Sequence, residues 1–108
     1  MSLYLLRAQY TPDAFRGMLA RPGDREGPGR ELFEAAGMKL QHMWYSAKGE
    51  IICIAEGEAV NSATVAMVVT ASGALCGATL EELLTPAQQL EAMKAAGAVS
   101  AKYRAPGK

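Results

Sequence analysis

The run Met38-Lys39-Leu40-Gln41-His42-Met43-Trp44-Tyr45-Ser46-Ala47, then Lys48-Gly49, then Glu50-Ile51-Ile52-Cys53-Ile54-Ala55-Glu56 decides the fold. Aromatic and β-branched residues dominate both flanks, the composition of strands that pack on a pleated surface. Lys48-Gly49 between them reads as a tight hairpin turn, with Gly free to take positive φ. Alternation then assigns faces: His42, Trp44 and Ser46 point one way, Met43 and Tyr45 the other.

Outward from this hairpin, the N-terminal side holds one more strand and a broken helical crossover. Leu3 to Tyr10 is β-favouring. Thr11-Pro12 stops it and starts a helix, with Thr as N-cap, Pro at the first helical position and Asp13 in the first turn. Phe15, Met18 and Leu19 fall on one apolar face. Pro22-Gly23 ends that helix, and Asp24 can cap a second. Gly27-Pro28-Gly29 is poor helix interior, so the regular pattern is expected from Arg30 to Ala36, closed by Gly37. On the C-terminal side, Val60 to Ser72 repeats apolar residues with helical period, with Asn61 or Ser62 as cap and Gly73 as stop. Leu75 to Leu84 is a fourth strand. Thr85-Pro86 repeats the helix-start device, and Leu90, Met93 and Lys94 follow before Gly97.

The order β, α, β-hairpin, α, β plus a C-terminal helix predicts an α+β fold, the ferredoxin-like split βαβ sandwich: a four-stranded antiparallel sheet with helices on one face. The domain spans residues 1–97, and residues 98–108 form a flexible basic tail. The other sheet face would carry Leu3, Leu5, Leu40, Trp44 and residues of the third strand. Left in water, such a face is an aggregation hazard. Pairing two of them in a C2 dimer is the economical solution, so a homodimer or a higher even-numbered assembly is expected.

Composition excludes several classes. The chain has 108 residues, half of them apolar and 20% charged, which is one globular domain and not a disordered chain. No apolar run approaches the roughly 20 residues that cross a bilayer, and residues 1–20 lack signal-peptide organisation. A cytoplasmic, membrane-free protein is the expectation. Eleven basic residues balance eleven acidic ones, which argues against nucleic acid as a partner. The charge is unevenly laid out. Gly49 to Met93 contains six glutamates and no Lys or Arg, whereas Lys94, Lys102, Arg104 and Lys108 crowd the end. A basic tail lying against an acidic face of its own or a neighbouring subunit accounts for both; a dedicated electropositive binding tail is the alternative. Cys53 and Cys76 have no zinc-like spacing and one histidine to share, so buried free thiols, no metal and no cofactor are expected.

Three stretches resemble the GYD domain proteins, small bacterial proteins of uncharacterised activity. They are Tyr10-Thr11-Pro12 with Arg16-Gly17, Gly37-Met38-Lys39-Leu40, and Ala71-Ser72-Gly73 followed by Thr79-Leu80 and Leu84-Thr85-Pro86. The resemblance covers residues 2–95. Where the family has its Gly-Tyr-Asp run, this chain has Gly49-Glu50-Ile51. The resemblance implies a ferredoxin-like fold associating as a dimeric α/β barrel, and it implies no reaction.

Chemistry-bearing residues concentrate in the hairpin. Arg7, His42, Trp44 and Glu50 are the candidate ligand-binding residues, with Arg7 placed to meet Glu50 or Glu56 across the sheet or to receive an anion. No nucleophile set, phosphate loop or paired-carboxylate motif stands out, so no residue is assigned a catalytic role. The leading reading is a protein of unknown function that acts as an oligomeric small-molecule- or protein-binding domain without its own catalytic site. The alternative is a small cofactor-poor enzyme, oxygenase- or isomerase-like, working in a sheet-face cleft around His42.

Overall fold

Thr11 and Thr85 open the helices that follow the first and last strands. Each side-chain oxygen accepts from a backbone N–H three residues on, at Ala14 and Gln88, and each is followed by Pro. These caps satisfy donors that have no intrahelical partner. The computed structural model describes residues 1–108. Its elements are β1 (Ser2–Tyr10), α1 (Pro12–Ala20), α2 (Glu26–Ala35), β2 (Lys39–Tyr45), β3 (Glu50–Gly57), α3 (Ala59–Ala71), β4 (Leu75–Leu83), α4 (Pro86–Val99) and a terminal 3-10 turn (Ser100–Lys102).

The four strands form one antiparallel sheet in the order β2-β3-β1-β4. This is the α+β, ferredoxin-like arrangement expected from the element order. Gly49, at φ 92°, closes the β2–β3 hairpin, and Gly49 N–H donates to Ser46 O at 3.0 Å. The core lies on the helix side. Leu6 and Ala8 of β1, Leu40 of β2 and Cys53 of β3 meet Phe33 of α2 and Val65 of α3 there. Alternation along β3 is regular, with Ile51, Cys53 and Ala55 buried and Ile52 and Ile54 on the other face.

Five local expectations are corrected. Leu40 is 2% exposed and belongs to the core, not to the uncovered face. A bulge causes this: Leu40 pairs with Ala55 but His42 pairs with Ile54, so Gln41 is an extra residue and the two side chains take opposite faces. A second bulge in β4 sets Cys76 opposite Gln9 and Thr79 opposite Arg7, with Gly77 at φ 63°. Cys76, next to buried Leu75 and paired with Gln9, faces out, so only Cys53 is a buried thiol. Gly27-Pro28-Gly29 lies inside α2, within its first turn, where the missing proline N–H has no intrahelical acceptor to lose. Asp24 still contributes, accepting from Glu26 N–H at 2.8 Å. The cap of α3 is Glu58, whose N–H donates to Asn61 Oδ1 at 3.1 Å. Finally, α4 runs through Gly97 to Val99, so a boundary at 97 falls inside a helix.

Packing is uneven. α2 lies over β2, and Arg30 of α2 donates to Leu40 O at 2.9 Å beside the bulge. α3 lies over β1 and β4. α1 buries no residue fully and is tied on by Thr11, whose N–H and hydroxyl donate to Ala74 O and Gly73 O. α4 has no extensive contact with any strand or other α-helix of the domain, and all of its residues are exposed. A compact monomer of this mass exposes about 5,800 Å²; this chain exposes 7509 Å². Its Cα radius of gyration is 18.0 Å, against about 13 Å for a compact chain of this length. No helix is long and apolar enough to cross a membrane.

Candidate functional site

The sheet separates two sets of polar groups. On the uncovered face, cross-strand register brings Trp44, Ile52 and Arg7 into one row and His42, Ile54 and Leu5 into the next. The rings of His42 and Trp44 stack with centroids 4.6 Å apart and planes 13° from parallel. Glu50 sits between two cations, with Oε1 3.9 Å from Arg7 Nη1 and 3.5 Å from Lys48 Nζ. That oxygen is shut off from solvent and accepts no hydrogen bond. The structure thus gathers Arg7, His42, Trp44 and Glu50 onto one face, as their strand positions require. None of them lines any of the three main cavities.

The cavities are on the helix side. The most enclosed one, about 210 Å³, lies between the sheet and helices α2 and α3. Its walls are mostly apolar, with Leu6, Met43, Phe33 and Val65 among them, and its polar groups are few: Tyr10, Arg25 and Ser72. Two wider clefts, of about 330 and 400 Å³, flank α1 and the Arg21–Arg25 loop. Tyr10 and Arg25 border all three spaces. They mark the point where the enclosed apolar chamber meets the two open clefts.

Local chemistry at that point follows from strand ends. Tyr10 closes β1 and Tyr45 closes β2, and their hydroxyls lie 3.4 Å apart. The two rings stack at 6.3 Å, and Phe15 of α1 meets Tyr10 edge-on at 5.6 Å. Partial burial, and next the hydrogen bond with Tyr10, push the Tyr45 phenol pKa up. Tyr45 therefore remains a neutral donor through the physiological range. Burial likewise pushes the Cys53 thiol in the chamber wall up to about 11, so it acts as an apolar wall atom and not a nucleophile. Arg25 stands at the N-terminus of α2 and forms no ion pair with the chain's carboxylates. No three His, Cys, Asp or Glu side chains come together in a way that could hold a metal ion.

Sequence reasoning missed Tyr10, Tyr45 and Arg25 as a group. Tyr10 and Tyr45 read as strand residues, and Arg25 carries no signal of its own. Their one shared signal is position, since each ends or begins an element at the same edge of the sheet. Compared with known proteins, the chain matches no protein-family model and no curated protein at a significant level.

Proposed function

We propose that this protein is a self-associating small-molecule-binding domain. Its ligand is a small apolar compound with an anionic head, seated in the chamber under α2 and α3 with the head at Arg25 and Tyr10. The observation that carries this is the meeting of three spaces at those two residues. Apolar walls supply affinity and a few convergent polar groups supply orientation, which is the usual division of labour in ligand sites. At about 210 Å³, the chamber is below the roughly 300–1,000 Å³ of drug-sized sites, so the ligand is small. A guanidinium without a carboxylate partner favours an anion, and a neutral Tyr45 beside Tyr10 adds a donor.

Self-association rests on the uncovered face. Leu3, Leu5, Ile52 and Ile54 are only half-covered there, and Trp44 is 54% exposed. Two such faces stacked about 10 Å apart would bury these residues, the geometry of sheet-on-sheet packing. The resemblance to GYD domain proteins implies the same dimeric barrel. In this reading the face bearing His42 is an interface, and the chamber remains free in every subunit.

Octanoate titrated by calorimetry tests the site. We expect saturable binding at one per chain, weakened about tenfold or more by Arg25→Gln, the worth of a hydrogen bond to a charged group, and abolished by Val68→Trp at the chamber rim. Octanol, lacking the charge, should bind Arg25→Gln and the parent alike. Octanoate binding that survives Val68→Trp unchanged would refute this location.

A further inference from the structure

We propose that α4 is an intersubunit arm: in the assembled protein it lies on a second copy of this chain and not on its own domain. This rests on the self-association reading above and adds to it a second contact, outside the sheet face. Leu90, Met93 and Gly97 (i, i+3, i+7) share one side of α4, with Leu90 and Met93 49% and 55% exposed. A 14-residue helix is marginal in water on its own and draws its stability from packing. Its own domain supplies no extensive packing, and every residue of the helix is exposed.

Area and charge both point to a second copy. The chain exposes about 1,700 Å² more than a compact monomer of its mass. A standard interface takes about 800 Å² from each partner and an obligate dimer more, so the surplus matches an obligate contact. The long axis of 60 Å, against 32 and 24 Å for the others, reflects an arm of about 21 Å at helical rise. Lys94, Lys102, Arg104 and Lys108 make α4 and the residues after it cationic. Glu56, Glu81 and Glu82 cluster at one end of the sheet, where β3, β1 and β4 run in register. None of the three forms an ion pair within the chain. In the assembly, the cationic end of each arm meets this acidic sheet end of the other copy. Two-fold symmetry repeats the contact, so each subunit gives one arm and receives one.

Zero-length carbodiimide cross-linking of mixed ¹⁴N and ¹⁵N full-length chains decides the matter. Peptides joining Lys94 or Lys102 to Glu56, Glu81 or Glu82 should include isotopically mixed pairs. Exclusively same-isotope links, or none between these residues, would overturn the arm. Leu90→Asp with Met93→Asp should weaken self-association at least tenfold in sedimentation while circular dichroism shows the domain still folded. A full chain that dimerises with unchanged affinity in that variant refutes the arm alone; a full chain that stays monomeric refutes the sheet-face reading together with it.

Discussion

The two sides of the sheet are built from the same kind of residue and end in different states. On the helix side, Leu6, Leu40, Cys53 and Val65 are each under 5% exposed. On the other, Leu5, Ile52 and Ile54 stay half-covered, though they alternate with the buried residues along the same strands. The difference teaches that strand patterning here provides two apolar faces while the chain supplies helices for one. On the proposed reading, residues that close the first face act on folding and residues on the second act on assembly.

The largest test of that division is Leu40→Ala against Leu5→Ala. Leu40→Ala removes a fully buried side chain and should cost about 2–5 kcal/mol, lowering the urea midpoint equally at every protein concentration. Leu5→Ala should cost about 1 kcal/mol in the single subunit and lower the midpoint further as protein concentration rises. Equal, concentration-independent losses would mean the uncovered face meets no partner.

The thiols sharpen the same contrast. Burial holds Cys53 neutral up to about pH 11 against an ordinary value of 9. The neutral form is favoured in the folded state, so its contribution is whole below pH 9. It falls by roughly 1.4 kcal/mol per pH unit from 9 towards 11, as the unfolded chain releases its proton first. Urea titrations of the parent and of Cys53→Ala across this window should converge as pH rises; parallel curves would contradict the burial. At pH 8 a thiol-reactive reagent should label Cys76 promptly. Cys53, its thiolate population cut roughly 100-fold by the two-unit shift, should react only on unfolding.

Trp44 tests the proposed assembly directly. Iodide should quench its fluorescence at high dilution, where the ring is exposed, and progressively less as concentration rises and the faces pair. Quenching that ignores concentration would break the comparison between the two sides.

The smallest effect belongs to Glu50. Glu50→Gln removes a charge between Arg7 and Lys48, both of them solvent-exposed partners, and should change subunit stability by about 1 kcal/mol or less. A loss several times larger would show that the enclosed Oε1 is held by more than these two cations.

How much of this was legible in advance depends on the range of the interaction concerned. Thr11-Pro12 and Thr85-Pro86 mark helix starts because a cap needs only the next three residues. Gly37, Gly49 and Gly73 take positive φ at the stops and turn where they stand, since only glycine adopts that conformation freely. The His42–Trp44 pairing on one face followed from alternation alone. Pro28 was misjudged because its cost depends on where the helix begins, and the first turn carries none of the usual penalty. Arg7, His42, Trp44 and Glu50 do share a face, but the cavity chemistry lies on the opposite side, at residues that no single motif joins.

Element order, the Thr-Pro starts of α1 and α4 and the existence of an unspent apolar face were therefore properties of the sequence itself, because each depends on neighbours a few positions away. Two single-residue bulges were not. The one in β2 sends Leu40 into the core and the one in β4 shifts Thr79 opposite Arg7, and their positions follow from a choice of cross-strand register made by the whole sheet. The meeting of Tyr10, Tyr45 and Arg25 has the same origin: three residues from three elements become one site only when the strands have paired and α2 has settled over them.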